Sequence, residues 1–169
     1  YAESWRYSQG ILTSESDCSA QSMSRSGVNS WWKEGSTWVS ADGTRVSGAK
    51  AMGIDVSMHQ GQIDWGRVKS SGVNYAIIRC GYGSDYSEQD DPQFLRNVSE
   101  CMKRGIPFGV YIYSYAYNTS MAQSEANHVL RLLNAAGLTP GKVSYPIYFD
   151  LENQGSNGRP GASGRSISN

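Results

Sequence analysis

The chain has 169 residues, and its 15 Lys and Arg residues balance its 15 Asp and Glu residues, so the formal net charge is zero. This balance argues against a protein that coats nucleic acid, because such proteins normally carry a basic surplus that displaces counterions. The length is sufficient for one domain with a substantial core, but a complete eight-stranded α/β barrel usually needs about 250 residues and rarely fewer than about 200. No apolar run approaches the roughly 20 residues that span a bilayer, so we expect a soluble chain without a membrane span. The first residue is Tyr1 and not Met, which predicts a processed or trimmed product.

Residues 1–51 differ in composition from the rest of the chain. They contain 12 Ser and four of the five Trp, but only five residues of the Ile, Leu, Val and Phe set. So few aliphatic side chains cannot offset the entropy of ordering an independent core, and we predict a Trp/Ser-rich extension or linker that packs on something else.

A short aromatic hairpin is predicted inside this extension. Residues 30–44 form two strands joined around Glu34 and Gly35, with a second turn at Asp42 and Gly43. The spacing resembles one unit of the Trp-rich repeats that bind bacterial cell-wall sugars and choline. A linker that covers part of the main domain is the alternative, and we favour it because such repeats bury their faces only by stacking on neighbours.

Residues 52–169 alternate between short apolar strands and amphipathic helices. Four strands are predicted, at residues 53–57, 75–82, 108–116 and 146–152. Three helices are predicted between them, from the cap Asp64 to Gly72, from Asp91-Pro92 to Gly105, and from a capping box at Ser120 to Gly137. This order predicts a parallel sheet with right-handed crossovers. Residues 153–169 are rich in Gly, Ser and Asn without periodicity, so the far edge of the fourth strand is left open.

The apolar stripes of the helices predict which side chains face the sheet. The second helix presents Phe94, Leu95, Val98, Cys101 and Met102, and the third presents Ala122, Ala126, Val129, Leu130, Leu133 and Ala136. His128 lies off this stripe and is predicted to be solvated. Cys80 and Cys101 are expected to be neighbouring buried thiols, with a disulfide as the alternative.

Carboxylates cluster at the carboxyl ends of the first and fourth strands, where reactive groups gather in α/β folds. They are Asp55, Asp150 and Glu152. Side chains alternate along a strand, so Tyr148, Asp150 and Glu152 share one face, while Ile147, Phe149 and Leu151 are expected to face the helices.

Residues two apart on a strand lie about 6.5 Å from each other, so the carboxyl groups of Asp150 and Glu152 can reach the separation of roughly 5 to 9 Å used in glycoside cleavage. A like charge nearby raises the pKa of one carboxyl, so paired carboxylates suit acid catalysis. Metal binding and simple solvation are alternative roles for a D-x-E pair.

A second acidic group follows the second strand. Its members are Asp85, Glu88, Asp90 and Asp91, for which solvation and helix capping are the expected roles and a metal site is the alternative.

Several sequence blocks together resemble one enzyme family. They read GIDVSMHQGQIDW at residues 53–65, YAIIRCGYG at 75–83, DPQFLRN at 91–97, GIPFGVYIYSYA at 105–116 and YPIYFDLE at 145–152. In register from about residue 52 onward, they closely resemble the lysozymes of glycoside hydrolase family 25. The resemblance implies the amino-terminal half of an irregular, TIM-like β/α barrel with parallel strands. It also implies hydrolysis of the β-1,4 bond from N-acetylmuramic acid to N-acetylglucosamine in peptidoglycan, in a secreted, cell-wall setting of bacteria, without metal or cofactor.

The same resemblance implies roles for particular residues. Glu152 is the general acid and then the base. Asp150 stabilises the developing oxocarbenium ion or orients the sugar's N-acetyl group as nucleophile, and direct attack by Asp150 is the competing mechanism. Asp55 orients groups beside this pair. The expected substrate-binding residues are Tyr82, Tyr113, Tyr115, His59 and Arg79, with core filling as the alternative for the tyrosines and loop structuring for His59.

The resemblance ends just after the fourth strand, whereas the family's barrel continues. We therefore expect an amino-terminal fragment of a longer enzyme, with a truncated gene product as the alternative. The expected partners are peptidoglycan glycan strands and the missing carboxyl-terminal half of the barrel, and no nucleic acid. A non-catalytic wall-binding or structural product is the second functional hypothesis, and a chitinase-like hydrolase, which also uses a D-x-E pair, is a third.

Overall fold

A computed structural model describes residues 7–8, 11–12 and 31–151. It divides the chain after Ala51 into two units, Tyr1–Ala51 and Met52–Asn169. Cys18 and Glu152 lie outside the described residues, and the role of residues 1–51 as an extension or linker stays a prediction. No helix among the described residues is long and apolar enough to cross a membrane.

The first unit contains short antiparallel strands. Two of them, β1 (Tyr7–Ser8) and β2 (Ile11–Leu12), pair with each other. Three more form a meander in the order β3 (Trp31–Glu34), β4 (Thr37–Ser40) and β5 (Arg45–Ser47). The predicted turns at Gly35 and at Asp42-Gly43 are both present, and both glycines have positive φ. Wall binding by this sheet stays a prediction.

The second unit is built on a four-stranded parallel sheet whose strands follow one another in chain order. The strands are β6 (Gly53–Val56), β7 (Tyr75–Tyr82), β8 (Phe108–Tyr113) and β9 (Ile147–Asp150). The intervening helices are α1 (Trp65–Ser70), α2 (Phe94–Arg104) and α3 (Thr119–Ala135). This uninterrupted order is that of a barrel wall, because a doubly wound sheet reverses its strand order at a switch point. The predicted half-barrel fold is confirmed.

Local signals determine where the helices begin. The carboxylate of Asp64 accepts hydrogen bonds from the backbone N–H groups of Gly66 and Arg67, so it caps α1 as predicted. The predicted starts of α2 and α3 are wrong. Asp91 forms a turn in which its carboxylate accepts from Gln93 N, and α2 begins only at Phe94. Asn118, not Ser120, caps α3 through a bond from Met121 N.

The core lies between the sheet and its helices. Alternate residues of β7 and β8 point into it, and they meet apolar side chains from all three helices, among them Trp65, Phe94, Val98, Val129 and Leu132. Cys80 and Cys101 are both buried there as free thiols, and burial raises the pKa of each to about 12. The expectation of buried free thiols is therefore confirmed for these two residues.

The predicted helix stripes are partly wrong. Leu95, Met102 and Leu130 are exposed, whereas Asn97, Glu125 and His128 are completely buried. The prediction that His128 is solvated is also wrong. These polar side chains face inward because each has a hydrogen-bonding partner there. For example, Nε1 of Trp65 donates a hydrogen bond to Oδ1 of Asn97 at 3.0 Å.

Strand β9 is exposed on both faces. Ile147, Tyr148, Phe149 and Leu151 are each between 41% and 52% exposed. The expectation that Ile147, Phe149 and Leu151 pack against helices is wrong, because α3, the last α-helix of the described residues, packs on β7.

Candidate active site

The inner face of the sheet is the face turned away from the helices, and it is polar and aromatic. Backbone pairing aligns Arg79 with Tyr111 and Tyr111 with Tyr148, and it aligns Tyr113 with Asp150. Asp55 projects between the core residues Ile54 and Val56 of β6, so it shares this face. The predicted residues Asp55, Arg79, Tyr113 and Asp150 therefore lie on one face of one sheet.

Tyr111 is the central side chain of this face. It is 8% exposed, and its hydroxyl donates a hydrogen bond to the carboxylate of Asp55. Burial, followed by the negative charge of Asp55, raises the pKa of Tyr111. The positive charge of Arg79 opposes this shift, and the charge of Asp150 adds a smaller increase. The phenol therefore remains protonated at neutral pH and serves as a donor between two acidic residues.

The sequence prediction missed Tyr111, although a signal was available. Side chains two apart on a strand share a face, and Tyr113 had been assigned to the site. The same alternation applied to β8 identifies Tyr111.

A β-bulge brings Tyr82 to the same face. The pairing of β7 with β8 shifts between Arg79 and Gly81, so Tyr82 aligns with Tyr113. A regular strand would have turned Tyr82 toward the helices, because it is three residues from Arg79. Gly81 is required at this point, since a Cβ there would lie 2.7 Å from the carbonyl oxygen of Gln89.

Three of the predicted tyrosines form one aromatic cluster at the strand ends. The ring of Tyr115 lies 5.3 Å from that of Tyr113 and 5.8 Å from that of Tyr82, in edge-to-face arrangements. All three side chains are partly exposed. The cluster thus offers aromatic surface to solvent beside the acidic residues.

Arg79 is held by a buried ion pair. Its Nε lies 2.9 Å from Oδ2 of Asp91, and their side chains are 10% and 1% exposed. The same Oδ2 accepts from Met58 N at 2.8 Å, and Asp91 N donates to the carbonyl of Cys80. Asp91 therefore joins the loop after β6, the strand β7 and the start of α2. Its assignment to a solvated acidic group is wrong.

His59 lies in a single turn of 3₁₀-helix, Met58–Gln60, directly after β6. Ser57 and Gln60 cap this turn reciprocally, and the backbone N of His59 donates to the Ser57 hydroxyl. The partly buried His59 is thus fixed close to the end of the strand that carries Asp55.

The loop after β7 is tied to α3 by charged groups. Arg131 binds Asp90 with two nitrogens, at 2.6 and 3.0 Å, and its Nε lies 2.7 Å from Asp85. The ring nitrogens of His128 lie 2.8 Å from Asp90 and 3.1 Å from the carbonyl oxygen of Gly83. The hydrogen bonds from Arg131 and His128 lower the pKa of Asp90, against the effect of burial. Asp85 and Asp90 are thus ion-paired, and the expectation of simple solvation is wrong for them too.

Within the part of the chain that the structure describes, no three His, Cys, Asp or Glu side chains are grouped so as to hold a metal ion. Glu152 follows Leu151 and lies outside that part.

Comparison with known proteins gives consistent matches. The family described as glycosyl hydrolases family 25 matches residues 54–166. Lysozyme M1 of Streptomyces globisporus is 32% identical over 104 residues, which cover 62% of this chain and 33% of that protein. The chain thus spans about a third of the length of this curated relative.

Solved structures agree with this match. The modular autolysin LytC from Streptococcus pneumoniae, in complex with a synthetic peptidoglycan ligand, has a TM-score of 0.60 at 30% identity, over 76% of this chain and 30% of that one. The catalytic domain of an endolysin from a bacteriophage of Listeria monocytogenes has a TM-score of 0.51 at 20% identity, over 62% of this chain and 48% of that one. The second likeness concerns the fold alone.

Proposed function

The chain belongs to glycosyl hydrolase family 25, and from this premise we propose that it carries part of a site that hydrolyses the β-1,4 bond between N-acetylmuramic acid and N-acetylglucosamine in bacterial peptidoglycan. The main observation that supports this proposal is that Asp55, Tyr111 and Asp150 lie together on the inner face of the sheet. The relatives support the substrate class, since one is a lysozyme and another was solved with a peptidoglycan ligand. Because the chain spans about a third of the lysozyme, hydrolysis by this chain alone is part of the proposal.

Two carboxyl groups at the end of the fourth strand perform the proposed chemistry. Glu152 protonates the glycosidic oxygen as general acid and then activates water as base. Asp150 stabilises the positive charge that develops on the sugar ring, or it orients the sugar's N-acetyl group as the nucleophile. Direct attack by Asp150 is the competing route. A partly buried position of Asp150 supports either role, because it reduces solvent screening of the carboxylate.

Asp55 and Tyr111 form the supporting half of the proposed site. The hydroxyl of Tyr111 donates to Asp55, which limits the rotation of that carboxylate. Asp55 then orients substrate groups beside Asp150. Tyr111 thus joins Asp55 and Asp150 in the proposed site.

The proposed substrate contacts lie around these acids. Sugar rings stack on Tyr82, Tyr113 and Tyr115, whose cluster is partly exposed. His59 contributes a polar contact from the turn after β6. Direct substrate binding by Arg79 stays a prediction, since its Nε is engaged by Asp91.

Clearing of a peptidoglycan suspension by the purified chain tests the activity. We expect Glu152→Gln to abolish clearing and Asp150→Asn to reduce it by about 100-fold or more, as loss of a transition-state contact does. Glu100→Gln is the matched control, because Glu100 pairs with Arg104 on the outer side of α2. Unchanged clearing by the Glu152 variant would remove that residue from the acid role.

Analysis of the new reducing ends identifies the bond. Cleavage at the proposed bond yields N-acetylmuramic acid at the reducing end, whereas N-acetylglucosamine there would contradict the assignment. Glycan strands without N-acetyl groups then separate the two mechanisms. Substrate-assisted cleavage requires the acetamido group, and direct attack by Asp150 does not.

A non-catalytic wall-binding product is the second candidate, favoured by the exposed faces of β9. It predicts co-sedimentation with insoluble peptidoglycan without new reducing ends, in the wild type and in Glu152→Gln alike. Addition of the remaining barrel half, as a separate polypeptide, would restore hydrolysis if the chain needs that partner. In either case we propose a secreted, cell-wall location, because the substrate lies there.

A further inference from the structure

Glu125 is a completely buried acidic residue in the middle of α3. It takes no part in the chemistry proposed above. Its Oε2 accepts a hydrogen bond from the Ser114 hydroxyl at 2.6 Å, and its Oε1 accepts from the backbone N of Tyr115 at 2.7 Å. Both oxygens are therefore used at one place, the backbone corner at residues 114–116 where the chain leaves β8.

This corner is connected to both parts of the proposed site. The backbone N of Ser114 donates to the carbonyl oxygen of Asp150 at 3.0 Å, which continues the pairing of β8 with β9 to its last residue. Tyr115, the next residue, belongs to the aromatic cluster. Glu125 thus contacts the residue that holds the end of β9 and the residue that joins the tyrosines.

Hydrophobic packing alone does not explain a carboxyl group at this position. Burial of a carboxyl group is unfavourable unless hydrogen bonds compensate for lost hydration. Val129 and Leu132 already provide apolar contacts between α3 and the core. The carboxyl group also orients the backbone at this corner, because its two oxygens bind one hydroxyl and one N–H in a single geometry.

We propose that Glu125 is a positioning residue, which fixes the corner after β8 and thereby the end of β9 that carries Asp150. It acts through Ser114 and does not touch substrate. The effect on catalysis rests on the proposed function, whereas the effect on the backbone does not.

Three variants separate positioning from stability. Glu125→Met has a similar volume and removes both bonds. Glu125→Gln keeps them, because its amide oxygen accepts from Tyr115 N while its NH₂ group donates to the Ser114 hydroxyl. Leu132→Ala lowers stability from the same helix without altering any contact of the corner.

The first readout is hydrogen exchange at the Ser114 and Tyr115 amides of the whole chain. We expect Glu125→Met to accelerate exchange at both amides. In Glu125→Gln and Leu132→Ala, the exchange rates of these two amides relative to those of the β7 amides should equal the wild-type ratio. Protection at Ser114 in Glu125→Met equal to that in the wild type would overturn the proposal. If Glu125→Met does not fold, Ser114→Ala replaces it, because that change removes the 2.6 Å bond to Glu125, together with a 3.3 Å bond from the backbone N of Ala116, and leaves Glu125 in place. The Tyr115 amide is then expected to exchange faster, and an unchanged rate would overturn the proposal.

The second readout is turnover of soluble glycan fragments at a temperature where all variants are folded. We expect kcat of Glu125→Met to fall by about tenfold or more with a smaller change in KM, since the acidic strand end loses its alignment. Glu125→Gln should recover most of this loss, and Leu132→Ala should keep the wild-type kcat. An equal kcat loss in Leu132→Ala would show a general stability effect and reject positioning. A wild-type chain without any turnover contradicts the proposed function alone, because the exchange readout remains decisive for Glu125.

Discussion

The loop after β7 and the corner after β8 are both held by α3, but the chemistry of the two attachments differs. The loop is held by Arg131, Asp85 and Asp90, whose side chains are between 27% and 39% exposed. From α3, the corner is held by Glu125, which is completely buried and contacts one hydroxyl and one backbone N–H. His128 lies between these extremes, because it is buried itself and binds the partly exposed Asp90.

The difference determines how strongly each attachment should contribute to folding. Water and salt screen exposed ion pairs, so that each is worth about 1 kcal/mol or less. A buried donor that loses its acceptor has no water to replace it, and the loss costs roughly 1 to 3 kcal/mol. We therefore expect a graded series of effects along one helix, from Glu125 through His128 to Arg131.

The largest effect is expected for Glu125→Met. It leaves the N–H of Tyr115 and the hydroxyl of Ser114 without their acceptor, and we expect the free energy of unfolding to fall by about 3 kcal/mol. Urea unfolding followed by fluorescence measures this change, with Glu125→Gln as the control. If the free energy of unfolding falls no more in Glu125→Met than in Glu125→Gln, the comparison is contradicted.

A smaller effect is expected for His128→Leu. The carbonyl of Gly83 loses its partner, but Asp90 keeps Arg131, so we expect about 2 kcal/mol. The same urea titration tests it. The order of the comparison fails if this variant is less stable than Glu125→Met.

Arg131→Met should have a still smaller effect. It removes the ion pairs to Asp85 and Asp90, and we expect a loss of about 1 kcal/mol that shrinks in 1 M salt. Unfolding in low and high salt measures both quantities. A loss that does not depend on salt would show that the cluster is better shielded than its exposure indicates.

The smallest effect concerns pH. Hydrogen bonds from Arg131, and then from His128, lower the pKa of Asp90 below its usual 3.8, so folding favours the charged form. This contribution is fully present above about pH 5, and it is lost as the pH falls through the lowered value. Melting temperatures of the wild type and Asp90→Asn should therefore converge below pH 4. A gap that is constant from pH 7 to pH 3 would show that the charge of Asp90 does not contribute.

The sequence predicted the positions of the strands because their signals are local, although the predicted end of the third strand at Ala116 is wrong, since β8 ends at Tyr113. The apolar run at Tyr75–Tyr82 coincides with β7, and the cap Asp64 and the stop Gly105 bound their helices. The inward face of α3 could not be predicted in the same way. Periodicity assigns polar residues to solvent, whereas Glu125 and His128 are buried because the ends of β7 and β8 supply their partners.

The site was predicted in part for the same reason. Asp55 and Asp150 follow from the rule that strand ends carry reactive groups. Tyr111 could have been identified from Tyr113, because side chains two apart on a strand share a face. No pattern in the sequence indicated the bulge that turns Tyr82 to the inner face, since it depends on pairing with another strand. Nor did any local signal indicate that Asp91 joins three elements.

The exposed strand β9 also bears on the order of folding. The buried core of the described residues takes its side chains from Val56 to Leu138 and none from β9. Protein synthesis proceeds from the amino terminus, and domains tend to fold as they emerge. We therefore expect β6, β7 and β8 to condense with their helices while β9 is still being made. Asp150 would then join the sheet after β6, β7 and β8 have formed. The backbone amides of β9 should accordingly open, and exchange their hydrogens, before those of the other three strands.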